Sequence, residues 1–226
     1  MTIKPHSILI LGGTSFVGRH LTEAALAQGH HITLFNRGQS NPELFAGVER
    51  LTGDRETDLS ALAQAVEQAR RWDAVIDVTG YIPRTVRASA ALLAKATDHF
   101  TYISTISVYA DHKTANFDET YPLGTLSAEV LAQVQSKSDI TGENYGPLKA
   151  LCEHEVQQVF GTQALIIRPD LLIGRTVWPK EAQYWHLADP KTTPNSLMPA
   201  TLPRGRCIGW FPVPPASTTQ LAQIMR

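Results

Sequence analysis

The sequence predicts an α/β fold in which helices cover both faces of a parallel sheet. Short apolar runs alternate with segments of helical periodicity through the first 174 residues. The apolar runs are continuous, which is typical of strands that are buried on both faces. Most of them are followed by a polar or glycine-containing turn and then by a helix-like segment. This order is expected when each crossover connects two parallel strands.

Apolar runs and helical periodicity place the elements along the chain. The first strand, SILIL, ends at a glycine pair, and the next helix stops before Gly29, a residue type common at helix C-termini. We expect Asp58 to cap the second helix and Pro83 to open the third. Strands are expected at residues 7–11, 31–35, 48–52, 74–78, 100–103 and 164–168, and helices at 15–28, 59–70, 83–96 and 145–160. The polar residues 111–144 are expected to form a loop with one short helix.

Composition narrows the class of protein. The chain has 226 residues, 43% of them hydrophobic and 18% charged, and its net charge of −1 gives no overall attraction to nucleic acid or membrane. No apolar run approaches the length of a membrane span, and residues 1–7 lack a signal-peptide pattern. Cys152 and Cys207 are isolated, which suits reduced thiols. We therefore expect a cytoplasmic protein without membrane contact.

Residues 152–155 read Cys-Glu-His-Glu and look like a set of metal ligands. Neighbouring residues on a helix point in different directions, so these side chains cannot converge on one ion. We therefore expect no metal site.

The chain changes character after residue 174. Residues 175–226 hold eight of the fourteen prolines and three of the four tryptophans, and they show no clear period before residue 217. We expect a domain of alternating strands and helices at residues 1–174. A short or truncated substrate region is expected at residues 175–226.

The first strand leads through a glycine-rich loop into a helix. Glycine at such a turn lets the backbone approach a pyrophosphate, and the helix N-terminus adds free N–H groups and partial positive charge. A final glycine allows the helix to pack closely on the strand. The loop reads Gly12, Gly13, Thr14, Ser15, Phe16, Val17 and Gly18. Its place between strand and helix favours dinucleotide binding over an ordinary tight turn.

This loop resembles the G-x-x-G-x-x-G loop of the short-chain dehydrogenase/reductase superfamily, in the extended or atypical branch that includes the NAD-dependent epimerase/dehydratase family. Gly12 and Gly18 match the outer glycines, and Ser15 replaces the middle one. A serine there can still cap the helix and face a phosphate. The resemblance covers residues 1–174 and implies a Rossmann-type, doubly wound parallel sheet.

The resemblance assigns further cofactor contacts to the ends of later strands. An acid at the end of the second strand normally holds the ribose hydroxyls of NAD, but Asn36 and Arg37 stand there instead. Arg37 can bind a 2′-phosphate, which favours NADP over NAD as the cofactor. Asp54 matches an acid that faces the adenine in the family. Thr79 and Gly80 match the small residues beneath the cofactor.

Tyr145 and Lys149 lie four residues apart on a predicted helix, so their side chains share one face. In the family this Tyr-x-x-x-Lys pair is catalytic, and the lysine also reaches the nicotinamide ribose. We expect the ammonium of Lys149 to lower the pKa of Tyr145. The phenol can then act as a general acid or base near neutral pH.

A hydroxyl residue should complete the site just beyond the fifth strand. Residues 102–109 resemble a family segment that ends in Val-Tyr, and they place Thr105 at the catalytic Ser/Thr position. Ser104 and Ser107 are the alternatives. Sugar-nucleotide dehydratases of the family carry Asp-Glu after the threonine. Ile106 and Ser107 stand at those positions here, which disfavours dehydration.

Together these residues predict an NAD(P)-dependent oxidoreductase or epimerase that acts on a nucleotide sugar or another hydroxyl or carbonyl substrate. The resemblance also allows a homodimer. The alternative is a non-catalytic relative that binds nucleotide or RNA, because some atypical members with a Gly-Gly-Thr-x-Phe-x-Gly loop bind RNA. Residues 175–226 carry six basic side chains against two acidic ones, which suits that alternative. A third possibility is a degenerate copy that folds poorly.

Overall fold

A computed structural model of the chain describes residues 4–111, 118–170 and 172. These residues form a six-stranded sheet whose neighbouring strands are all parallel, in the order β3-β2-β1-β4-β5-β6. The strands are β1 (Ser7–Leu11), β2 (His31–Asn36), β3 (Glu49–Thr52), β4 (Ala74–Asp77), β5 (Phe100–Ile103) and β6 (Ala164–Ile167). This Rossmann-type order confirms the predicted fold class. The predicted boundary at residue 174, and the region 175–226, lie outside the described residues.

Five α-helices connect the strands within these ranges. They are α1 (Phe16–Ala27), α2 (Ser60–Glu67), α3 (Pro83–Leu93), α4 (Ala128–Gln133) and α5 (Gly142–Phe160). The short helix expected within residues 111–144 is α4, and residues 112–117 lie outside the described part. Among the described helices, none combines the length and the apolar character needed to cross a membrane.

The central strand β1 contributes to the packing on both faces of the sheet. Its side chains alternate, so Leu9 and Leu11 join a core cluster with residues of α2, α3 and α5. The aromatic rings of Phe100 on β5 and Phe160 on α5 stack in that cluster, with centroids 4.7 Å apart. All four residues from Ile8 to Leu11 are fully buried. This explains why the run is apolar at each of residues 8–11.

Helices α2 and α3 end earlier than predicted. Helix α2 ends at Glu67, because Ala69 has a positive φ of 60°. Asp58 does not act as its N-cap residue, which is Leu59, although the Asp58 carboxylate accepts the Ser60 N–H at 2.9 Å. Helix α3 ends at residue 93, three residues before the predicted end.

Helix α5 begins three residues earlier than predicted, at Gly142, because a capping box precedes it. The Thr141 hydroxyl accepts the Asn144 N–H at 3.3 Å, and the Asn144 side-chain oxygen accepts the Thr141 N–H at 2.7 Å. This start places Tyr145 just inside the helix, beside the end of β5.

Chain order reverses on either side of β1, which lies between β2 and β4. The connections that leave the carboxyl ends of β1 and β4 therefore diverge and open a crevice, the usual ligand site of such sheets. Most of the sequence-predicted site residues follow the carboxyl end of a strand at this edge. Lys149 and Tyr145 reach it from α5.

Helix α5 crosses close to the short 3-10 turn (Ile106–Val108) that follows β5. A β-carbon at Gly146 would overlap the Ser107 carbonyl oxygen, whereas one at Gly142 would meet no heavy atom within 4 Å. We predict that Gly146→Ala lowers the free energy of unfolding by about 1–3 kcal/mol. Gly142→Ala should leave it unchanged or raise it by up to about 1 kcal/mol. Urea denaturation measures both, and equal effects would contradict the close contact.

Candidate active site

The glycine loop after β1 is packed so closely that only glycine fits at its outer positions. Gly12 has a φ of +113°, and a β-carbon there would lie 2.7 Å from the side chains of Val78 and Thr79. A β-carbon at Gly18 would lie 2.8 Å from the backbone nitrogen of Gly13. The loop therefore presents bare backbone at the crevice, as the close approach of a pyrophosphate requires.

The N-terminus of α1 opens onto this loop. Ser15 is the N-cap residue, but the expectation that its side chain caps the helix is wrong, because the exposed hydroxyl makes no capping hydrogen bond. Thr14 is buried, and its carbonyl accepts from Asn41 Nδ2 at 2.7 Å. Phe16 and Val17 are half-buried in the first turn, which contains no acidic residue. The N–H groups of that turn therefore suit an anion.

The residues predicted for the adenosine end of a cofactor take two different roles. Asn36 donates from Nδ2 to the Gly12 carbonyl and accepts the Gly38 N–H, both at 2.9 Å, so it braces the glycine loop. Arg37 is exposed, and its guanidinium lies 3.8 Å from the Asp54 carboxylate. The structure therefore brings Arg37 and Asp54 together at the carboxyl edge of the sheet.

Thr79 and Gly80 form the turn after β4, which packs against the glycine loop. The Thr79 hydroxyl donates to the Leu11 carbonyl at 3.2 Å, which ties this turn to the end of β1. The Gly80 carbonyl accepts from the Tyr102 hydroxyl and from the Lys149 ammonium, each at 2.8 Å. The turn is thus fixed to its neighbours on both sides.

Lys149 is buried, and its ammonium joins the ends of two strands. Besides its bond to Gly80, it donates to the Ile103 carbonyl at 2.7 Å and lies 4.2 Å from the centroid of the Tyr102 ring. An ammonium has three N–H donors, so one has no acceptor among the described residues. Burial lowers the pKa of Lys149 from its ordinary value to about 8, and the nearby Asp77 carboxylate opposes this shift.

Tyr145 lies beside Thr105, so the structure brings these two predicted residues together. Burial raises the pKa of Tyr145 above its ordinary value, and a hydrogen bond with the Thr105 side chain opposes the increase. The expectation that Lys149 lowers the pKa of Tyr145 is therefore wrong for this structure. The ammonium donates to two backbone carbonyls, and desolvation of the half-buried phenol dominates.

The two alternatives to Thr105 occupy different positions. Ser104 is buried, and its hydroxyl has no hydrogen-bond partner among the described residues. Ser107 accepts a hydrogen bond from the Thr105 hydroxyl, and its N–H donates back to the same oxygen, both at 3.2 Å. Thr105 is therefore the hydroxyl residue that interacts with Tyr145. Ser107 fixes the position of the Thr105 side chain through these two hydrogen bonds.

Sequence reasoning missed a buried ion pair beneath the crevice. Asp77 ends the otherwise apolar strand β4 and is fully buried. Arg55 lies directly after the predicted Asp54, and its Nη1 atom is 2.5 Å from Asp77 Oδ1. A charged residue closing a strand of the type AVID is the signal that could have found this pair, because buried charges require a partner.

The ligand-like run in α5 has a structural explanation. Glu153 is 2% exposed, and its carboxylate binds the Arg168 guanidinium at 2.7 Å. Cys152 is buried, which raises the pKa of its thiol to about 12. Within residues 4–111, 118–170 and 172, no group of three His, Cys, Asp or Glu side chains could hold a metal ion.

The strand order and the bare glycine loop at the crevice define a dinucleotide-binding protein of Rossmann type. The chain belongs to the NAD dependent epimerase/dehydratase family, whose model matches residues 8–183. This membership confirms the resemblance to the short-chain dehydrogenase/reductase superfamily.

Two similar proteins carry names that indicate different functions. Epimerase family protein SDR39U1 of Bos taurus is 30% identical over 185 residues, 74% of this chain and 55% of that protein. Chloroplast stem-loop binding protein of 41 kDa b of Arabidopsis thaliana is 31% identical over 115 residues, 45% of this chain and 30% of that protein. This chain thus spans about half of the first relative and less of the second.

Among solved structures, the Bordetella bronchiseptica enzyme WbmG in complex with NAD and UDP is similar in fold. Its TM-score is 0.57 at 19% identity, over 76% of this chain and 57% of WbmG. At this identity the likeness concerns the fold.

The pKa of Lys149 predicts how stability depends on pH. Between pH 8 and 10.5 the unfolded chain binds more protons at this residue than the folded chain does, so the free energy of unfolding should rise with pH. From pH 7 to 9 the rise should be about 1 kcal/mol. Lys149→Met should lack it. Urea denaturation of both proteins at pH 7, 8 and 9 measures the difference.

The range ends at pH 9 because Cys152 acts in the opposite direction above that value. Its thiol stays protonated in the folded chain up to about pH 12 but loses its proton near pH 9 in the unfolded chain. Its contribution to the free energy of unfolding therefore falls as the pH rises above 9. Lys95→Met, at an exposed lysine after α3, is the control and should keep the wild-type slope. Parallel curves for wild type and Lys149→Met would contradict the low pKa of Lys149.

Proposed function

We propose that the chain is an NADP- or NAD-dependent oxidoreductase or epimerase that acts on a hydroxyl or carbonyl group, with Thr105, Tyr145 and Lys149 as its catalytic residues. The observation that carries the proposal is that the side chains of Tyr145 and Thr105 interact just beyond β5. At the same strand end, the buried Lys149 ammonium donates to the Ile103 carbonyl. These three groups stand at the crevice where family members bind their cofactor.

The residues present fit a dinucleotide. The bare glycine loop and the N-terminus of α1 would hold the pyrophosphate. Arg37 and Asp54 would meet the adenosine end, and the turn at Thr79 and Gly80 would lie beneath the nicotinamide end. Lys149 would donate its remaining N–H to the ribose. When bound, the nicotinamide supplies hydride exchange with the substrate carbon.

The protein's own groups would manage the proton of the substrate. The Thr105 hydroxyl would hydrogen-bond the substrate oxygen and orient it toward Tyr145. Because burial raises the pKa of Tyr145, its phenol is protonated at neutral pH and suited to donate a proton to a carbonyl oxygen. The protonated phenol therefore favours the direction in which a carbonyl is reduced and its oxygen receives a proton from Tyr145.

A nucleotide sugar is the substrate class that the comparisons favour. WbmG, which shares the fold, is described in complex with UDP as well as NAD. The family's name also covers dehydration, but Ile106 and Ser107 replace the acidic pair that this chemistry uses in the sugar-nucleotide dehydratases. We therefore propose oxidation, reduction or epimerisation of such a substrate in the cytoplasm.

Arg37 should decide between the two cofactors. We predict that the wild type binds NADPH more tightly than NADH, and that Arg37→Asp weakens NADPH binding by about tenfold or more because a charged contact to the 2′-phosphate is lost. Titrations followed by nicotinamide fluorescence measure both affinities.

Arg71→Asp is the matched control for this substitution. Arg71 is also an exposed arginine paired with an aspartate, Asp98, but it lies at the opposite edge of the sheet. It should leave both affinities unchanged. Equal affinities of the wild type for NADPH and NADH would refute the preference, and no binding of either would refute the enzyme proposal.

Tyr145 should be needed for turnover and not for cofactor binding. We predict that Tyr145→Phe lowers the turnover rate with an active nucleotide sugar by at least about 100-fold, because the proton donor is removed. NADPH affinity should stay within about twofold. Absorbance at 340 nm reports oxidation or reduction, and chromatography of the sugar reports epimerisation. Unchanged turnover in Tyr145→Phe would exclude the proposed role.

Binding of a nucleic-acid stem-loop is the second candidate. One observation favours it, the 31% identity with the Arabidopsis stem-loop binding protein over 115 residues. A gel-shift titration with a stem-loop RNA at several salt concentrations tests it, since phosphate contacts weaken steeply with salt. A salt-sensitive shift in a protein that binds no nicotinamide cofactor would favour this candidate over the enzyme.

A further inference from the structure

The buried ion pair of Arg55 and Asp77 connects three elements beneath the crevice. Besides its 2.5 Å contact with Asp77, Arg55 donates from Nη2 to the Ser89 hydroxyl on α3 at 2.7 Å. The Asp77 oxygen that binds Arg55 also accepts the Thr79 N–H at 3.0 Å. The pair therefore links the loop after β3, the end of β4 and helix α3.

This linkage bears on Lys149 through the turn after β4. The Thr79 N–H is held by Asp77, and the next residue, Gly80, offers its carbonyl to the Lys149 ammonium at 2.8 Å. A β-carbon at Gly80 would lie 3.0 Å from Asp77 Oδ2 and 2.6 Å from the Tyr102 ring. The turn is thus confined between the carboxylate and the ring, so its carbonyl has little freedom.

The charges of the pair are not fully satisfied by the contacts that bury them. Arg55 Nε and Asp77 Oδ2 have no hydrogen-bond partner among the described residues. Burying an ion pair with unsatisfied atoms is unfavourable compared with apolar packing. The Asp77 carboxylate does act on a buried cation of the site, because its charge favours the protonated form of Lys149.

We propose that the Arg55–Asp77 ion pair is a positioning device for Lys149, which fixes the Gly80 carbonyl that receives the lysine ammonium and supplies negative charge behind it. Arg55 and Asp77 are positioning residues, since they act through the turn and through charge. The importance of this pair for catalysis rests on the proposed function. Its effect on Lys149 can be tested whether or not the proposed function is correct.

Several charged and titratable groups surround Lys149 from the elements packed against it. Asp77 and Glu153 favour its charged form, whereas burial and Arg55 disfavour it. The Cys152 thiol is neutral where Lys149 titrates, because burial raises the thiol pKa to about 12. The rings of Tyr102 and Tyr81 lie 4.2 Å and 5.3 Å from the Lys149 nitrogen. Among these charged groups, Asp77 has the largest influence on the pKa of Lys149. Its removal should therefore change that pKa most clearly.

The direct test is the titration of Lys149 in the cofactor-free protein, followed by NMR of lysine labelled with ¹³C at Cε and assigned with Lys149→Met. Asp77→Asn keeps an acceptor for the Thr79 N–H but removes the charge, so the titration midpoint should fall. Arg55→Met removes a like charge, so the midpoint should rise. A merely structural role would loosen the site, admit water and raise the midpoint in both variants.

Opposite shifts in the two variants support the proposal, and a shift in the same direction or no shift in Asp77→Asn overturns it. Glu49→Gln is the control, because this half-exposed carboxylate pairs with Arg70 away from the crevice. It should leave the midpoint unchanged.

A second measurement covers the case in which a single variant does not fold. Replacing both charges, Arg55→Met with Asp77→Leu, removes the pair without leaving a lone buried charge and often preserves stability. NADPH binding should then weaken by about tenfold, as for the loss of one hydrogen bond to a charged group. Unchanged binding in a folded double variant overturns the proposal.

The two proposals fail separately. If neither NADPH nor NADH binds the wild type, the proposed function fails, while opposite shifts of the Lys149 midpoint still support its positioning by the pair. If NADPH binds the wild type and Asp77→Asn leaves the midpoint unchanged, the positioning role fails alone.

Discussion

The arrangement of the site depends on one buried ammonium, that of Lys149. An ammonium removed from water needs compensating acceptors, and the carbonyls at the ends of β4 and β5 provide them. Helix α5 must therefore lie across these two strand ends. Its close approach to the turn after β5 requires glycine at position 146, and its early start follows from the capping box at Thr141. The lysine thus sets where Tyr145 stands.

The Lys149 ammonium is surrounded by buried carboxylates, and each carboxylate is paired in turn with an arginine. Asp77 and Glu153 are the buried carboxylates nearest to Lys149, and each is neutralised by an arginine, Arg55 and Arg168 respectively. Arg168 also contacts the Tyr109 hydroxyl at 3.2 Å, so the outer pair holds the segment after β5 as the inner pair holds the turn after β4. Neither carboxylate is free to neutralise the lysine fully, which explains why burial still lowers its pKa.

The sequence is a good guide to features that depend on local pattern. The buried strands follow from continuous apolar runs, the glycine loop from its place between strand and helix, and the Tyr145–Lys149 pair from helical spacing. Contacts between residues that are far apart in the chain could not be predicted from the sequence. The partner of Arg55 lies 22 residues away, and the acceptors of Lys149 lie 69 and 46 residues away. Without these contacts, the direction of the Tyr145 pKa shift could not be inferred.

Burial moves the pKa values of Tyr145 and Lys149, the proposed catalytic pair, in opposite directions. It lowers the pKa of Lys149 to about 8 and raises that of Tyr145, so the ordinary order of deprotonation is reversed. Near neutral pH the two side chains are therefore a neutral phenol and an ammonium, and the neutral phenol suits proton donation. Proton removal by Tyr145 requires a further positive charge close to the phenol, such as that of an oxidised nicotinamide ring, because an adjacent cation stabilises the phenolate. In the proposed reaction, an oxidised cofactor would therefore favour base catalysis by Tyr145.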